Sequence, residues 1–196
     1  MKLIIASGNR HKVREIRTIL GDAFEQVLSM KEAGIDHETV EDGTSFLENA
    51  RKKADEMAAI SGCAAIADDS GLCVRALGGA PGILSARFAG RHGDDAANNR
   101  LLLERMTGIE DRRAYYACAM VIAYPDGRHV EAEGYMHGTL LDFERGTGGF
   151  GYDPMFVPEG GERTLAEYSP EEKNAISHRA RALEGVLAQL SVEKKV

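Results

Sequence analysis

Apolar positions along the chain fall into two spacings, one suited to strands and one to helices. Leu3-Ile4-Ile5-Ala6 is a short apolar run; Ser7-Gly8-Asn9 follows, and then Val13, Ile16, Ile19 and Leu20 recur at helical spacing. This predicts a strand, a tight loop and a helix. Ser45 with Glu48 has the form of a capping box, Leu47, Ala50, Ala54, Met57 and Ser61 fall on one face behind it, and Gly62 supplies a stop, which predicts a second helix. Ala64 to Ala67 reads as a buried strand ending in an acidic turn, Asp68-Asp69-Ser70-Gly71, after which Leu72-Cys73-Val74 resumes an extended pattern. From Arg75 to Gly93 the chain is glycine-rich, carries Pro81 and reads as loop; Asp94 then caps a helix bearing Ala97, Leu101, Leu102 and Met106 that Gly108 ends. Tyr115 to Tyr124 and His129 to Tyr135, joined by the turn signal Pro125-Asp126-Gly127, predict a hairpin. Ile176, Ala180, Leu183, Leu187 and Leu190 mark a final helical region. Helices alternating with strands, plus a hairpin, predict an α/β fold with a mixed sheet. No linker or repeat divides it, so residues 1–196 are expected to form a single domain.

Charge narrows the partners. Lys and Arg number 24 against 31 Asp and Glu, a formal charge of −7, which repels nucleic-acid backbones and anionic membranes. Neither is expected as a partner. Cys63, Cys73 and Cys118 are too few and too widely spaced for a metal site and fit a reducing compartment, where they act as small buried hydrophobes. The four apolar residues after Lys2 are too short for a signal peptide, and no stretch approaches a membrane span, so a soluble, cytoplasmic protein is expected. The 22 glycines exceed ordinary usage and point to loops where backbone comes close to something.

Four segments carry candidate chemistry. Ser7, Gly8, Asn9, Arg10, His11 and Lys12 join the first strand to the first helix, where free amides and the positive end of the dipole favour an anion. Lys12 in a first helical turn is disfavoured unless a phosphate sits there; a solvated lysine on an ordinary turn is the alternative. Asp68 and Asp69 after an apolar strand suit Mg²⁺, which takes few protein oxygens and completes its shell with water and phosphate. If strand geometry runs through the pair, the carboxylates face opposite ways, one to a metal and the other bracing the loop; a turn with one capping and one solvated aspartate is the alternative. Lys173, His178 and Arg179 would spread too widely on one ideal helix to meet one ligand, so either they are solvated or the helix breaks near Ser177, which would place His178 and Arg179 in the first turn of a second helix. Glycines at 146, 148, 149 and 151 surround Phe150, whose ring is suited either to stacking on a base or to simple burial.

Taken together these segments resemble the inosine triphosphate pyrophosphatase family nearly end to end. The resemblance rests on Ser7-Gly8-Asn9 with Lys12; Glu41, Gly43, Ser45-Phe46 and Glu48-Asn49-Ala50; Ala67-Asp68-Asp69-Ser70-Gly71-Leu72; Gly78-Gly79-Ala80-Pro81-Gly82 and Ser85-Ala86-Arg87; Gly148-Gly149-Phe150-Gly151-Tyr152-Asp153-Pro154; and Glu172-Lys173-Asn174 with Ser177-His178-Arg179. It implies a mixed twisted sheet flanked by helices, with two lobes around a nucleotide-binding cleft, and a likeness in activity: Mg²⁺-dependent hydrolysis of ITP, dITP and XTP to monophosphate and pyrophosphate by a homodimer. By the family's pattern Asp69 would activate water and, with Glu41, hold the metal. Lys12, Lys173 and the Ser7 to Lys12 loop would neutralise the triphosphate. Ser70, Phe150, Gly151, Tyr152, Asp153, His178 and Arg179 would complete substrate binding, Phe150 by stacking on the base and His178 and Arg179 by donating to its 6-oxo group. Two other readings remain at this point: a nucleotide-binding regulator without turnover, and a pyrophosphatase for another modified nucleotide.

Overall fold

A computed structural model describes residues 2–193. Six strands, β1 (Lys2–Ile5), β2 (Gln26–Ser29), β3 (Ala64–Val74), β4 (Arg113–Ala123), β5 (His129–Leu140) and β6 (Phe156–Pro158), form one sheet in the order β2-β1-β3-β4-β5-β6. β1 pairs in parallel with both β2 and β3, and β5 pairs antiparallel with β6, so the sheet is mixed. The helices are α1 (Arg10–Leu20), α2 (Phe46–Ser61), α3 (Asp95–Arg105), α4 (Pro170–Ile176) and α5 (His178–Glu193). Among the described residues no helix is long and apolar enough to cross a membrane.

The chain packs into two compact units. The first comprises Met1–Asp69, Cys118–Gly134 and His178–Val196. Because neighbouring residues of a strand point to opposite faces, β1 and β3 serve two cores at once. Leu3, Ile5 and Ile66 pack with Ile16 and Leu20 of α1 and with Ala182, Leu183 and Val186 of α5. Ile4, Ala65 and Ala67 pack on Ala50, Ala54 and Met57 of α2. The second unit, Ser70–Ala117 and Tyr135–Ser177, is built around Leu72, Val74, Leu102, Met106, Met136 and Leu165, with Tyr116 set edge-on to Phe156 at a centroid distance of 4.9 Å.

Several local expectations hold. Asp94 caps α3 by accepting the Ala97 amide, and Gly62 ends α2 at φ 63°, a left-handed conformation that costs glycine little. Others need correcting. The acidic turn expected at residues 68–71 does not exist, since β3 runs unbroken through it. Turn propensity loses because both carboxylates find buried partners, so neither has to reach solvent, and because Gly71 lets the chain around Ser85 close on the strand. A Cβ at Gly71 would lie 2.3 Å from the Gly82 carbonyl oxygen, and the Leu72 amide donates to Ser85 Oγ at 2.9 Å. The Ser45 box is only half closed: Ser45 Oγ accepts the Glu48 amide, but the Glu48 carboxylate accepts from the amide and hydroxyl of Thr44. β5 continues past Tyr135 to Leu140, where Gly138 lets the Phe156 ring lie against its backbone. α3 gives way to its cap at Met106, ahead of Gly108.

Gly134 fixes how α5 meets β5. A Cβ there would lie 2.2 Å from the His178 carbonyl oxygen and 2.4 Å from the Ala182 amide nitrogen, both backbone atoms that cannot swing aside. Gly134→Ala is therefore expected to destabilise the protein by about 1–3 kcal/mol, the usual range for overpacking. Urea denaturation tests this, and an unchanged midpoint at unchanged slope would contradict it.

Candidate functional site

The loop after β1 is shaped by its own side chains. Asn9 caps α1, its Oδ1 accepting the amides of His11 at 2.9 Å and Lys12 at 3.3 Å, while Ser7 Oγ accepts the Asn9 amide at 3.2 Å. Two of the amides that the sequence offered to an anion are thus taken by Asn9. Gly8, Arg10 and His11 are exposed and Ser7 is half-buried.

Because β3 is extended, Asp68 and Asp69 leave opposite faces and meet different environments. Asp68 is fully buried, and its Oδ2 pairs with Lys12 Nζ at 3.0 Å and accepts from Arg179 Nε at 3.2 Å and Nη2 at 3.0 Å. Arg179 also pairs through Nη1 with Glu15, and Cys118 Sγ lies 3.9 Å from Asp68 Oδ2. Burial alone would push the Asp68 carboxyl up, but the charges of Lys12 and Arg179 outweigh it and hold the group well below the ordinary carboxylate range. Burial likewise opposes the Arg179 charge, and Asp68 and Glu15 override it. Asp68 is therefore an ionised brace, the role the alternation argument left open between the two aspartates.

Asp69 differs. Its Oδ2 accepts from Asn49 Nδ2 at 3.0 Å, and its Oδ1 lies 3.7 Å from Lys53 Nζ, which also pairs closely with Glu41 Oε1. Burial pushes the Asp69 carboxyl up, with Lys53 and Lys12 opposing it. Lys53 is disfavoured by burial, but Asp69 and Glu41 outweigh that and raise its pKa. Asn49 ties the arrangement together: fully buried, it accepts the Gly43 amide at 2.9 Å while donating to Asp69, so the segment carrying Glu41 and the strand carrying Asp69 are held by one side chain.

Two carboxylates from separate segments thus converge on a single positive charge. No group of three potential His, Cys, Asp or Glu ligands occurs among the described residues. That donor set does not make an all-protein cage, but it fits Mg²⁺, which is commonly held by one or two carboxylates together with water and substrate phosphates.

In the second unit, the loop at Gly146 to Asp153 is organised by Asp153. Its Oδ2 accepts from Lys173 Nζ at 2.6 Å and from the Phe150 amide at 3.0 Å, and its Oδ1 accepts from Tyr116 OH at 3.4 Å. Gly149 makes room, since a Cβ there would lie 2.2 Å from Asp153 Oδ2. Lys173 Nζ sits 4.4 Å from the centroid of the half-buried Phe150 ring, a cation–π contact. α3 grips the next peptide on both sides: the Gly151 amide donates to Asp95 Oδ2 at 2.8 Å, and Asn99 Nδ2 donates to the Gly151 carbonyl at 3.2 Å. Tyr152 is buried and donates to the Ser85 carbonyl at 2.8 Å. Ser70 is half-buried within β3.

The C-terminal helix does break. Ser177 has φ −67° and ψ 153°, an extended conformation between α4 and α5, so His178 and Arg179 open α5 and both are buried. Lys173 and Arg179 are engaged by different carboxylates, Asp153 and Asp68. Four participants were given no role in the site from the sequence: Asn49, although it stands in one of the motifs that carry the resemblance, Lys53, Glu15 and Cys118. Asn49 and Lys53 are one helical turn apart, so two polar residues at that spacing, beside the apolar face of α2, were the available signal. Glu15 and Cys118 carry no local signal, because only the tertiary fold brings them to Arg179 and Asp68.

Comparison with known proteins agrees over nearly the whole length. A model of the Ham1 family matches residues 3–189. A dITP/XTP pyrophosphatase of Streptomyces coelicolor is 48% identical over 95% of each chain. The solved structure of the Staphylococcus aureus Ham1 protein superposes with a TM-score of 0.87 at 38% identity, covering 98% of this chain and 100% of that one. The crystal structure of a nucleoside-triphosphatase, dITP/XTP pyrophosphatase, from Mycobacterium abscessus superposes with a TM-score of 0.77 at 46% identity, covering 95% and 99%.

Proposed function

The chain belongs to the Ham1 family, and on that premise we propose that it is an enzyme hydrolysing nonstandard purine nucleoside triphosphates (ITP, dITP and XTP) to monophosphate and pyrophosphate. Among the structural features, the convergence of Glu41 and Asp69 on one positive charge carries this reading most directly, because a triphosphate hydrolase needs a place for a divalent cation. Glu41 and Asp69 would hold Mg²⁺, which when bound supplies positive charge to the phosphates.

The protein's own groups do the rest. The Asp69 carboxylate takes a proton from the attacking water, whose oxygen bonds to phosphorus as the anhydride between the α and β phosphates breaks and pyrophosphate leaves. Lys12, Lys173 and the Ser7 to Lys12 loop offset the negative charge of the triphosphate, and Asp68 and Arg179 fix where the Lys12 ammonium lies. Ser70, Gly151, Tyr152 and Asp153 complete the substrate contacts, with Asp153 setting the positions of Phe150 and Lys173. Phe150 stacks on the base. The same reading makes the protein a cytoplasmic homodimer acting on small soluble nucleotides, with neither nucleic acid nor membrane as partner.

Base choice follows from hydrogen-bond complementarity. Inosine and xanthosine carry a 6-oxo acceptor where adenosine carries a 6-amino donor, so a donor from His178 leaves adenine mismatched, while Arg179, engaged by Asp68 and Glu15, holds the start of α5 in place. A buried polar site imposes about 10⁴-fold on such a mismatch. Purified protein incubated with Mg²⁺ and ITP should yield IMP and pyrophosphate, with kcat/KM for ATP lower by roughly that factor. Release of orthophosphate alone, or equal turnover of ATP, would defeat the assignment.

A further inference from the structure

Phe150, the ring assigned to the base, has its place decided by the peptide that follows it. α3 holds that peptide at both ends: the Gly151 amide donates to Asp95 Oδ2 at 2.8 Å, and Asn99 Nδ2 donates to the Gly151 carbonyl at 3.2 Å. Asp95 and Asn99 are one helical turn apart and so share a face. Gly151 has φ 60°, a left-handed conformation, and the chain turns there so that the Asp153 carboxylate reaches back to the Phe150 amide at 3.0 Å. The amides on either side of the Phe150 side chain are thus both held by carboxylates, one from α3 and one from the loop itself.

Asn98 takes a second loop. Its Oδ1 accepts the Ala89 amide at 2.8 Å and its Nδ2 donates to the Ala86 carbonyl at 3.3 Å. Tyr152 joins the two loops by donating to the Ser85 carbonyl at 2.8 Å, and Ser85 Oγ accepts the Leu72 amide at 2.9 Å, just beyond Ser70. Asn98 and Asn99 are both buried. A buried amide is costly unless it is hydrogen-bonded, and a helix that served only as packing would place apolar side chains at those positions. The first two turns of α3 are therefore matched to the loops, and its far end, through Leu102 and Met106, to the core.

We propose that Asp95 and Asn99 are positioning residues for the purine, holding the Phe150 ring in place for the base through the Gly151 peptide. The proposal rests on the assignment of Phe150 to the base in the hydrolytic reading. A loop already in its bound position spares the ligand the cost of ordering it, so loss of the clamp should appear as lost affinity for ligands that carry a base. The test is calorimetric titration with the α,β-methylene analogue of ITP, which has the base but no hydrolysable link between its α and β phosphates, and separately with pyrophosphate, which has no base. Asp95→Ala should weaken binding of the analogue by about tenfold, the worth of a charge-assisted hydrogen bond, and leave pyrophosphate within about twofold. In turnover, KM for ITP should rise by a similar factor at nearly unchanged kcat. Added to Phe150→Ala, Asp95→Ala should cost little further, because the ring through which it acts is gone. A merely structural role would weaken both ligands alike and would add to the Phe150 loss. Either result, analogue affinity within about twofold of wild type, or failure of the wild-type protein to bind the analogue would overturn the proposal. Asp95→Asn keeps the shape of the side chain and an oxygen able to accept from the Gly151 amide; it should lose about threefold, and it carries the same comparison if the alanine variant does not fold. Absence of pyrophosphate release from ITP would defeat the hydrolytic reading alone, because the binding comparison is made without turnover.

Discussion

Asp69→Asn is expected to lower kcat for ITP by roughly 10³-fold or more while leaving the fold in place. The substitution keeps the shape of the side chain and an oxygen that accepts from Asn49, so β3 and the Glu41 segment lose no packing. What disappears is a proton acceptor, usually worth about 10²–10⁴ in rate, together with half of the charge that would hold the divalent ion. Steady-state kinetics paired with a urea melt checks this. A loss of less than tenfold would remove Asp69 from the chemistry, and an unfolded variant would show that its burial matters for structure.

The neighbouring residue should behave in the opposite way. Asp68→Ala strands the Lys12 and Arg179 charges beside an empty buried position, and breaking a buried ion pair by removing one partner costs about 3–5 kcal/mol. Denaturant unfolding should report that loss, and a change below about 1 kcal/mol would show that water or rearranged side chains already satisfy the two cations. The same network predicts a pH signature. The folded pKa of Asp68 lies below its unfolded value, so its stabilisation is fully present above about pH 4 and is lost as pH falls below that. The wild-type protein should therefore lose stability in acid more steeply than the alanine variant.

The contrast between these adjacent residues shows how far a sequence can be read. Their opposite orientation followed from strand periodicity once extended geometry was assumed, but the extended geometry itself was obscured by an Asp-Ser-Gly run that favours turns locally. The buried partners on α1, α2 and α5, with the close approach of the chain around Ser85 at Gly71, reverse that preference. α1 and α2, whose apolar residues repeat at helical spacing, and the local Ser45 cap of α2 were legible, whereas Asn9 was read as part of an anion loop and not as the cap of α1. β2 and β6, four and three residues long, were not, because so short a segment carries no periodicity to detect. In the site the same division holds. Lys12 and Asp69 announce themselves by residue type next to a loop or strand end. Arg179 looked like a donor awaiting a ligand, and its engagement by Glu15 and Asp68 depends on residues 164 and 111 positions away.

Side-by-side aspartates also make β3 sensitive to how it is aligned during folding. The strand pairs with β1 through Leu3 with Ala64, Ile4 with Ala65 and Ile5 with Ile66. A shift of one residue turns every side chain to the other face. Its alanines would tolerate that poorly marked exchange, being similar on both sides. The acidic pair would not: Asp69 would be delivered to Arg179 and Asp68 carried away from it, and Asn49 would meet the wrong carboxylate. The charges that divide structure from chemistry in the finished protein thus also discriminate between alignments that the small apolar residues of this strand leave nearly equivalent.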